Sequence, residues 1–273
     1  MRGVDGSAKN MTDKFGKTPE LVDLDELKTW IIFEDEKIIA VNKPGWLVCH
    51  PSKNGPLSSL VGAMRELTKL DTIHLVSRLD RETSGAVVFA KDKKSASTIQ
   101  KAIESKLVGK KYLTILRGNM LGKYVVSQPL ADDKNSNVAV KQIAAIDKGS
   151  AKTAETLFVP IRTTSSPVPL TLAEVEIITG RKHQIRAHAE WINMRVVGDK
   201  IYGGDENVYL NFIENGMTQD DMKKMLMPRQ ALHAWILDFS KIYPNFVIKA
   251  DIPQDFASFM LENNLGSAED FNS

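Results

Sequence analysis

The sequence predicts an α+β fold, a mainly antiparallel mixed sheet with flanking helices. Three observations predict it. Short apolar runs of strand character outnumber stretches of helical period. Most of those runs lie a hairpin apart. A chain of 273 residues, 42% of them hydrophobic, is long enough to bury a core under such a sheet.

Residues 1–26 are polar and mixed in charge, with no apolar period, and read as a flexible tail. Residues 27–262 read as one domain. Apolar runs at 30–33 and 38–41 flank Glu34-Asp35-Glu36-Lys37 as a hairpin, which Asn42-Lys43-Pro44-Gly45 closes as a turn. Leu60, Val61, Met64 and Leu67 recur at helical spacing within 57–70, as do Ile99, Ala102 and Ile103 within 95–106. Residues 86–90 are almost purely apolar and read as a buried strand, and 110–117 as the next. The middle, 120–166, reads as short strands with breaks around Gly149 and Pro160.

Ala173, Val175 and Ile177 alternate with Glu174 and Glu176, the pattern of a half-buried strand over 171–179. After Gly180 a helix is expected over 184–193, with Ile185, Ala189 and Ile192 on one stripe. Residues 231–239 and 246–250 read as late strands, and Pro253 opens a final helix. Residues 263–273 read as an acidic flexible tail.

No run approaches the roughly 18 apolar residues of a membrane span, and the N-terminus lacks the apolar stretch of a signal peptide. Cys49 is the only cysteine, which excludes disulfides within the chain and a four-cysteine zinc site. A monomer in the reducing cytoplasm is expected. The formal net charge of +2 conceals an asymmetry, because residues 31–250 alone carry a net +8. A basic body with acidic ends suits a polyanionic partner.

Chemistry concentrates around Asp80. Arg81-Glu82-Thr83-Ser84-Gly85 reads as a turn feeding the buried strand, so the Asp80 carboxylate stands between Arg78 and Arg81 at a rigid strand's mouth. A nucleophile or base needs such a place, with cations that favour its ionised form. A solvated surface turn fits the local pattern equally. A second cluster, Thr179-Gly180-Arg181-Lys182-His183-Gln184-Ile185-Arg186-Ala187-His188, lies where a strand passes into a helix, a ready anion site. His183 and His188 are i, i+5 and stand about 140° apart on a helix, so they do not share a metal-binding face. A third, Lys110-Lys111-Tyr112, opens a strand, and Tyr112 equally suits a core aromatic.

Arg78-Leu79-Asp80-x-x-Thr83-Ser84-Gly85 resembles the signature of the RluA-type pseudouridine synthases, which isomerise uridine within RNA. The second cluster resembles that family's Gly-Arg-x-His-Gln-x-Arg-x-His segment, and Lys110-x-Tyr112 its Lys-x-Tyr. Asn42-Lys43-Pro44-Gly45, His50-Pro51, Gly198-Asp199-x-x-Tyr202-Gly203 and Arg229-Gln230-x-Leu232-His233-Ala234 extend the resemblance in the family's order.

The resemblance implies the pseudouridine synthase catalytic fold with a central RNA-binding cleft. It implies Asp80 as the catalytic residue, nucleophile or base at the sugar, Arg186 as its ion-pair partner, and Tyr112 against the target base. It implies RNA contacts by Arg78 (the wedge that fills the gap left by the extruded uridine), Arg81, Lys110, Lys111, Arg181 and His183. Isomerisation involves no redox or phosphoryl transfer, so no cofactor or metal is expected. The partner is ribosomal or transfer RNA. Residues 1–26 are too few for the N-terminal S4 module that many relatives carry. The chain departs from the pattern at Ser77, where the family usually has His, and at Asn193, where it commonly has Gly. Ser77 leaves open a second reading, an RNA-binding protein of the same fold with impaired catalysis.

Overall fold

The computed structural model describes residues 20–50, 54–145, 149–165 and 167–271. Residues 1–19 of the expected N-terminal tail and Pro51 lie outside these. The first described helix is α1 (Leu24–Thr29), ahead of the domain start expected at Leu27. Asp23 caps this helix by accepting from the Asp25 and Glu26 N–H groups, and the Val22 N–H donates to Leu57 O at 2.8 Å. Buried Val22 and Leu27 give the segment its hold on the core.

The hairpin follows as β1 (Ile31–Glu34) and β2 (Ile38–Lys43), then α2 (Leu60–Thr68), the two-residue β3 (His74–Leu75), the wholly buried β4 (Ser84–Ala90), α3 (Lys93–Glu104) and β5 (Gly109–Arg117). The middle supplies β6 (Tyr124–Val126), β7 (Leu130–Asp132), β8 (Gln142–Ala144) and β9 (Thr156–Thr164). Then come β10 (Leu170–Ile177), α4 (Gln184–Trp191), α5 (Glu206–Asn215), α6 (Gln219–Met225), β11 (Leu232–Asp238), β12 (Val247–Lys249) and α7 (Gln254–Glu262).

Ten strands form one sheet, in the order β1-β2-β4-β11-β5-β10-β9-β6, with β3 beside β4 and β12 beside β11. Every pairing is antiparallel except β4–β11, which run parallel over Ser84↔His233 and Ala86's neighbour Gly85↔Ala234. The α+β expectation holds. Alternate residues of β4 serve two cores: Val87 and Phe89 pack with α2, and Ala86 and Val88 with α3. Each such large apolar side chain contributes roughly 1.5–3 kcal/mol through burial. β5 and β10 share a third core with Ile185 and Ala189 of α4 and with α7.

Three expectations are corrected. Pro160 is no break, because it lies inside β9, opposite a register shift between Leu172 and Ala173. β6 pairs only with Thr156–Phe158 of β9, so the missing proline N–H falls on an open edge. The acidic end does not hang free: Leu265 and Phe271 are buried in the core shared with α7, and Phe271 meets Trp235 edge-on at 5.7 Å. α5 and α6 fill a stretch where no helix was expected. Asn193 does occupy the left-handed region expected of it, at φ 56°. Among the described residues no helix is long and apolar enough to cross a membrane.

Candidate active site

Asp80 opens a tight turn in which the Thr83 N–H donates to Asp80 O at 3.2 Å. The turn is braced from behind by cations that the surface-seeking habit of lysine would not suggest. Lys43, fully buried at the end of β2, donates to the carbonyls of Pro44, Leu47 and Arg81 at 2.8–3.0 Å. Burial pulls its pKa down to about 8. Lys200 pairs with Glu82 at 2.7 Å, and Arg229 donates to Glu82 O at 3.1 Å. Gln230 donates to the Thr83 hydroxyl. Gly85 ends the turn at φ 115°, with β11 so close that a Cβ there would sit 2.2 Å from Ala234 O. Only glycine meets both demands.

Arg186 arrives from the first turn of α4 and faces two carboxylates. Its Nη1 donates to Asp80 Oδ2 at 2.8 Å. Its other edge grips Asp199 with two bonds, Nε to Oδ2 at 2.6 Å and Nη2 to Oδ1 at 2.9 Å. The Asp199 side chain is fully buried and also accepts the N–H groups of Ile201 and Tyr202. The Tyr202 ring lies under the guanidinium, 5.0 Å from centroid to Cζ. Burial opposes the charge on Arg186, but Asp199 and Asp80 more than offset it and raise its pKa.

His183 stands at the helix entrance in the left-handed region, φ 52°. Its Nε2 is 3.7 Å from Asp80 Oδ2 and its Nδ1 is 3.2 Å from the Tyr202 hydroxyl. That hydroxyl accepts from the Gln142 N–H. Burial, and then Arg186, push the His183 pKa down to about 4, so the ring is neutral at pH 7. Burial would raise the Asp80 pKa, yet His183 and Arg186 hold it below the usual carboxylate range. With His183 neutral, Arg186 is the charge that keeps Asp80 ionised at physiological pH. The Asp80 side chain remains 29% exposed, open to a reacting partner.

Tyr112, on β5, joins Asp80 in a small pocket of about 70 Å³. Burial and the Asp80 charge raise its pKa, so the phenol stays protonated. The pocket continues into a cleft of about 580 Å³, and the two share Arg78, Leu79, Tyr112, Ile177 and Arg181.

Asp80, Tyr112, Arg186 and His183 thus converge, and Arg78, Lys110 and Arg181 line the cleft beside them. Two residues fall elsewhere. Arg81 donates to Trp46 O at 3.0 Å and lines a separate hollow that Asp80, His183 and Arg186 also reach, and the cation bonded to Asp80 is Arg186 rather than either sequence neighbour. Lys111 pairs with Glu174 at 2.9 Å and lies outside the cleft lining, because successive strand residues face opposite ways and Lys110 and Tyr112 take the cleft side. His183 is 8% exposed and supports the site from within rather than from a phosphate-facing surface. The ring nitrogens of His188 are taken by Thr156 Oγ1 and Gln128 O, both at 2.8 Å. Among the described residues no group of three or more His, Cys, Asp and Glu side chains could hold a metal ion. Asp199, Tyr202 and Lys43 stood in quoted motifs without a role at the site, and Lys200 fell at an unspecified position of one of them.

Residues 37–191, over half of the chain, match the family model described as RNA pseudouridylate synthase. An uncharacterized RNA pseudouridine synthase of Helicobacter pylori is 29% identical, over 84% of this chain and 67% of its own length. The ribosomal large subunit pseudouridine synthase D of Nitrosomonas europaea is 28% identical over 84% of this chain, which spans only 64% of that relative. Among solved structures, human RNA pseudouridylate synthase domain containing 4 superposes with a TM-score of 0.67 at 25% identity, covering 88% of this chain and 95% of that one. The matched range takes in both the braced turn of Asp80 and its ion-pair partner Arg186, and the chain belongs to the RNA pseudouridine synthase family.

Proposed function

We propose that this chain isomerises specific uridines of structured RNA to pseudouridine, with Asp80 as the reacting carboxylate. The observation that carries this reading is the Arg186–Asp80 ion pair at 2.8 Å, set in a cleft that also exposes Asp80 to Tyr112. The uridine leaves the stack at a cost of a few kcal/mol, and Arg78, exposed at the cleft rim, fills the gap. Asp80 acts at the sugar, as nucleophile on C1′ or as base, while the N1–C1′ bond breaks. The ring turns, C5 joins C1′ and displaces any bond from Asp80, the C5 hydrogen leaves to water as a proton, and N1 takes up a proton in exchange. Tyr112 covers the base throughout, its protonated hydroxyl beside the departing C5 proton. Arg186 keeps Asp80 charged, and Asp199 and Tyr202 fix Arg186.

The relatives named ribosomal large subunit pseudouridine synthase D make large-subunit ribosomal RNA the first substrate to test, with transfer RNA next. The protein acts as a cytoplasmic monomer in this reading. Pseudouridine mapping of total RNA with and without the gene names the uridine. Tritium release from RNA labelled at uridine C5 then tests the chemistry: the wild type releases tritium, and Asp80→Asn binds the RNA but releases none. Should neither protein release tritium while both bind, the RNA-binding reading favoured by Ser77 takes its place.

A further inference from the structure

We propose that the 580 Å³ cleft beside Tyr112 is a second nucleotide pocket, which takes the base adjacent to the target uridine, and that Ser77 keeps it open. This pocket presupposes the uridine chemistry proposed for Asp80. Pockets of roughly 300–1,000 Å³ enclose whole drug-sized ligands, and one pyrimidine is a good deal smaller than that. The cleft therefore has room beyond the target base. Its floor is apolar, with Val76, Ala86 and Leu237, a surface suited to the face of a base. Its rim carries Arg78, Lys110 and Arg181 against a single lining carboxylate, Glu104, a balance suited to phosphates.

Lys110 is the sharpest sign of an occupant. Burial pulls its pKa down, and no carboxylate offsets this. Its Nζ reaches across to the Gly180 backbone, where a Cβ would lie 3.5 Å away. A partly desolvated ammonium with no carboxylate partner among the described residues is placed for an anion that the RNA brings. The shared lining of Arg78, Leu79 and Tyr112 joins this cleft to the pocket of Asp80, so a strand with its uridine at Asp80 delivers the neighbouring nucleotide here. Ser77 forms part of the cleft wall, one residue before Arg78. Its side chain is small, and a bulky one at this point of the wall would take up cleft space.

The test uses a short RNA bearing the mapped uridine, labelled at C5, with each flanking nucleotide in turn intact or abasic. For the wild type, removing the base on one side lowers kcat/KM about tenfold, within what stacking of one base supplies. Ser77→Trp fills the cleft: it loses about tenfold on the intact RNA and nothing more on the abasic one. The proposal is overturned if neither flanking base matters to the wild type, a comparison that needs no variant, or if Ser77→Trp slows both RNAs to the same extent. A wild-type protein that releases no tritium from any RNA counts instead against the uridine chemistry, which the mapping tests separately.

Discussion

Asp199 holds Arg186 by both oxygens, at 2.6 and 2.9 Å, and so turns the remaining Nη1 toward Asp80. One buried carboxylate thus orients the cation that keeps the other one ionised. Asp199→Ala leaves Arg186 charged, buried and misaimed. Breaking such a pair costs about 3–5 kcal/mol of stability, visible as a lowered urea midpoint. A misplacement of about 1 Å costs on the order of 100-fold in rate, so tritium release falls with it. Asp199→Asn, which keeps one acceptor, falls between this variant and the wild type.

Acid sensitivity follows from two buried histidines. His233, bonded to Ser84 and to Ala250 O, and His183 both have pKa values of about 4 in the fold, where burial is the leading cause. The unfolded chain takes up their protons near pH 6.5. It therefore binds more protons than the native state between about pH 6.5 and 4, and stability is full above that window and falls through it. Each histidine contributes on the order of 3 kcal/mol to the fall. Urea midpoints at pH 7 and pH 4.5 measure it, and His233→Gln, though less stable at pH 7, shows a shallower slope.

Lys110 and Lys111 are neighbours with opposite assignments. Lys111→Met removes a partly exposed ion pair with Glu174, worth at most about 1 kcal/mol, and leaves RNA affinity unchanged. Lys110→Met and Arg78→Met each weaken RNA binding and reduce the salt slope by about 1. Filter binding between 50 and 200 mM salt separates the three variants.

Gly85→Ala tests the turn itself. The new methyl group meets the carbonyl of Ala234 and the residue must keep φ 115°, so the loss is at least about 2 kcal/mol, well beyond an ordinary surface change. A lowered midpoint of thermal unfolding reads it out.

Much of this was legible beforehand, for identifiable reasons. β4 and β10 follow from period-two and continuous apolar runs, and Arg186 and Asp80 from motif residues whose chemistry is unusual enough to stand out. Helix α5 went unseen because only Val208 and Phe212 of its face are buried, too few to display a period. The chain end reads as solvated because Glu262, Glu269 and Asp270 stand among polar residues around the two side chains that matter, Leu265 and Phe271. The buried roles of Lys43 and Lys200 went unseen for another reason: composition treats lysine as solvent-facing, while three carbonyls around Lys43 make a buried ammonium the better-satisfied arrangement.

The place of β11 in the sheet also bears on how the protein comes into being. Residues 232–238 insert between β4, which follows Asp80, and β5, which carries Tyr112. While the chain is being made, the two walls of the cleft have no common backbone ladder until this late strand emerges. Folding is thus dominated by pairings between residues far apart in sequence, the class of topology that folds slowly. A nascent chain stalled before residue 232 already carries Asp80, Tyr112 and Arg186 but lacks the strand that joins the walls around them, so the site assembles only once nearly all of this sequence has been synthesised.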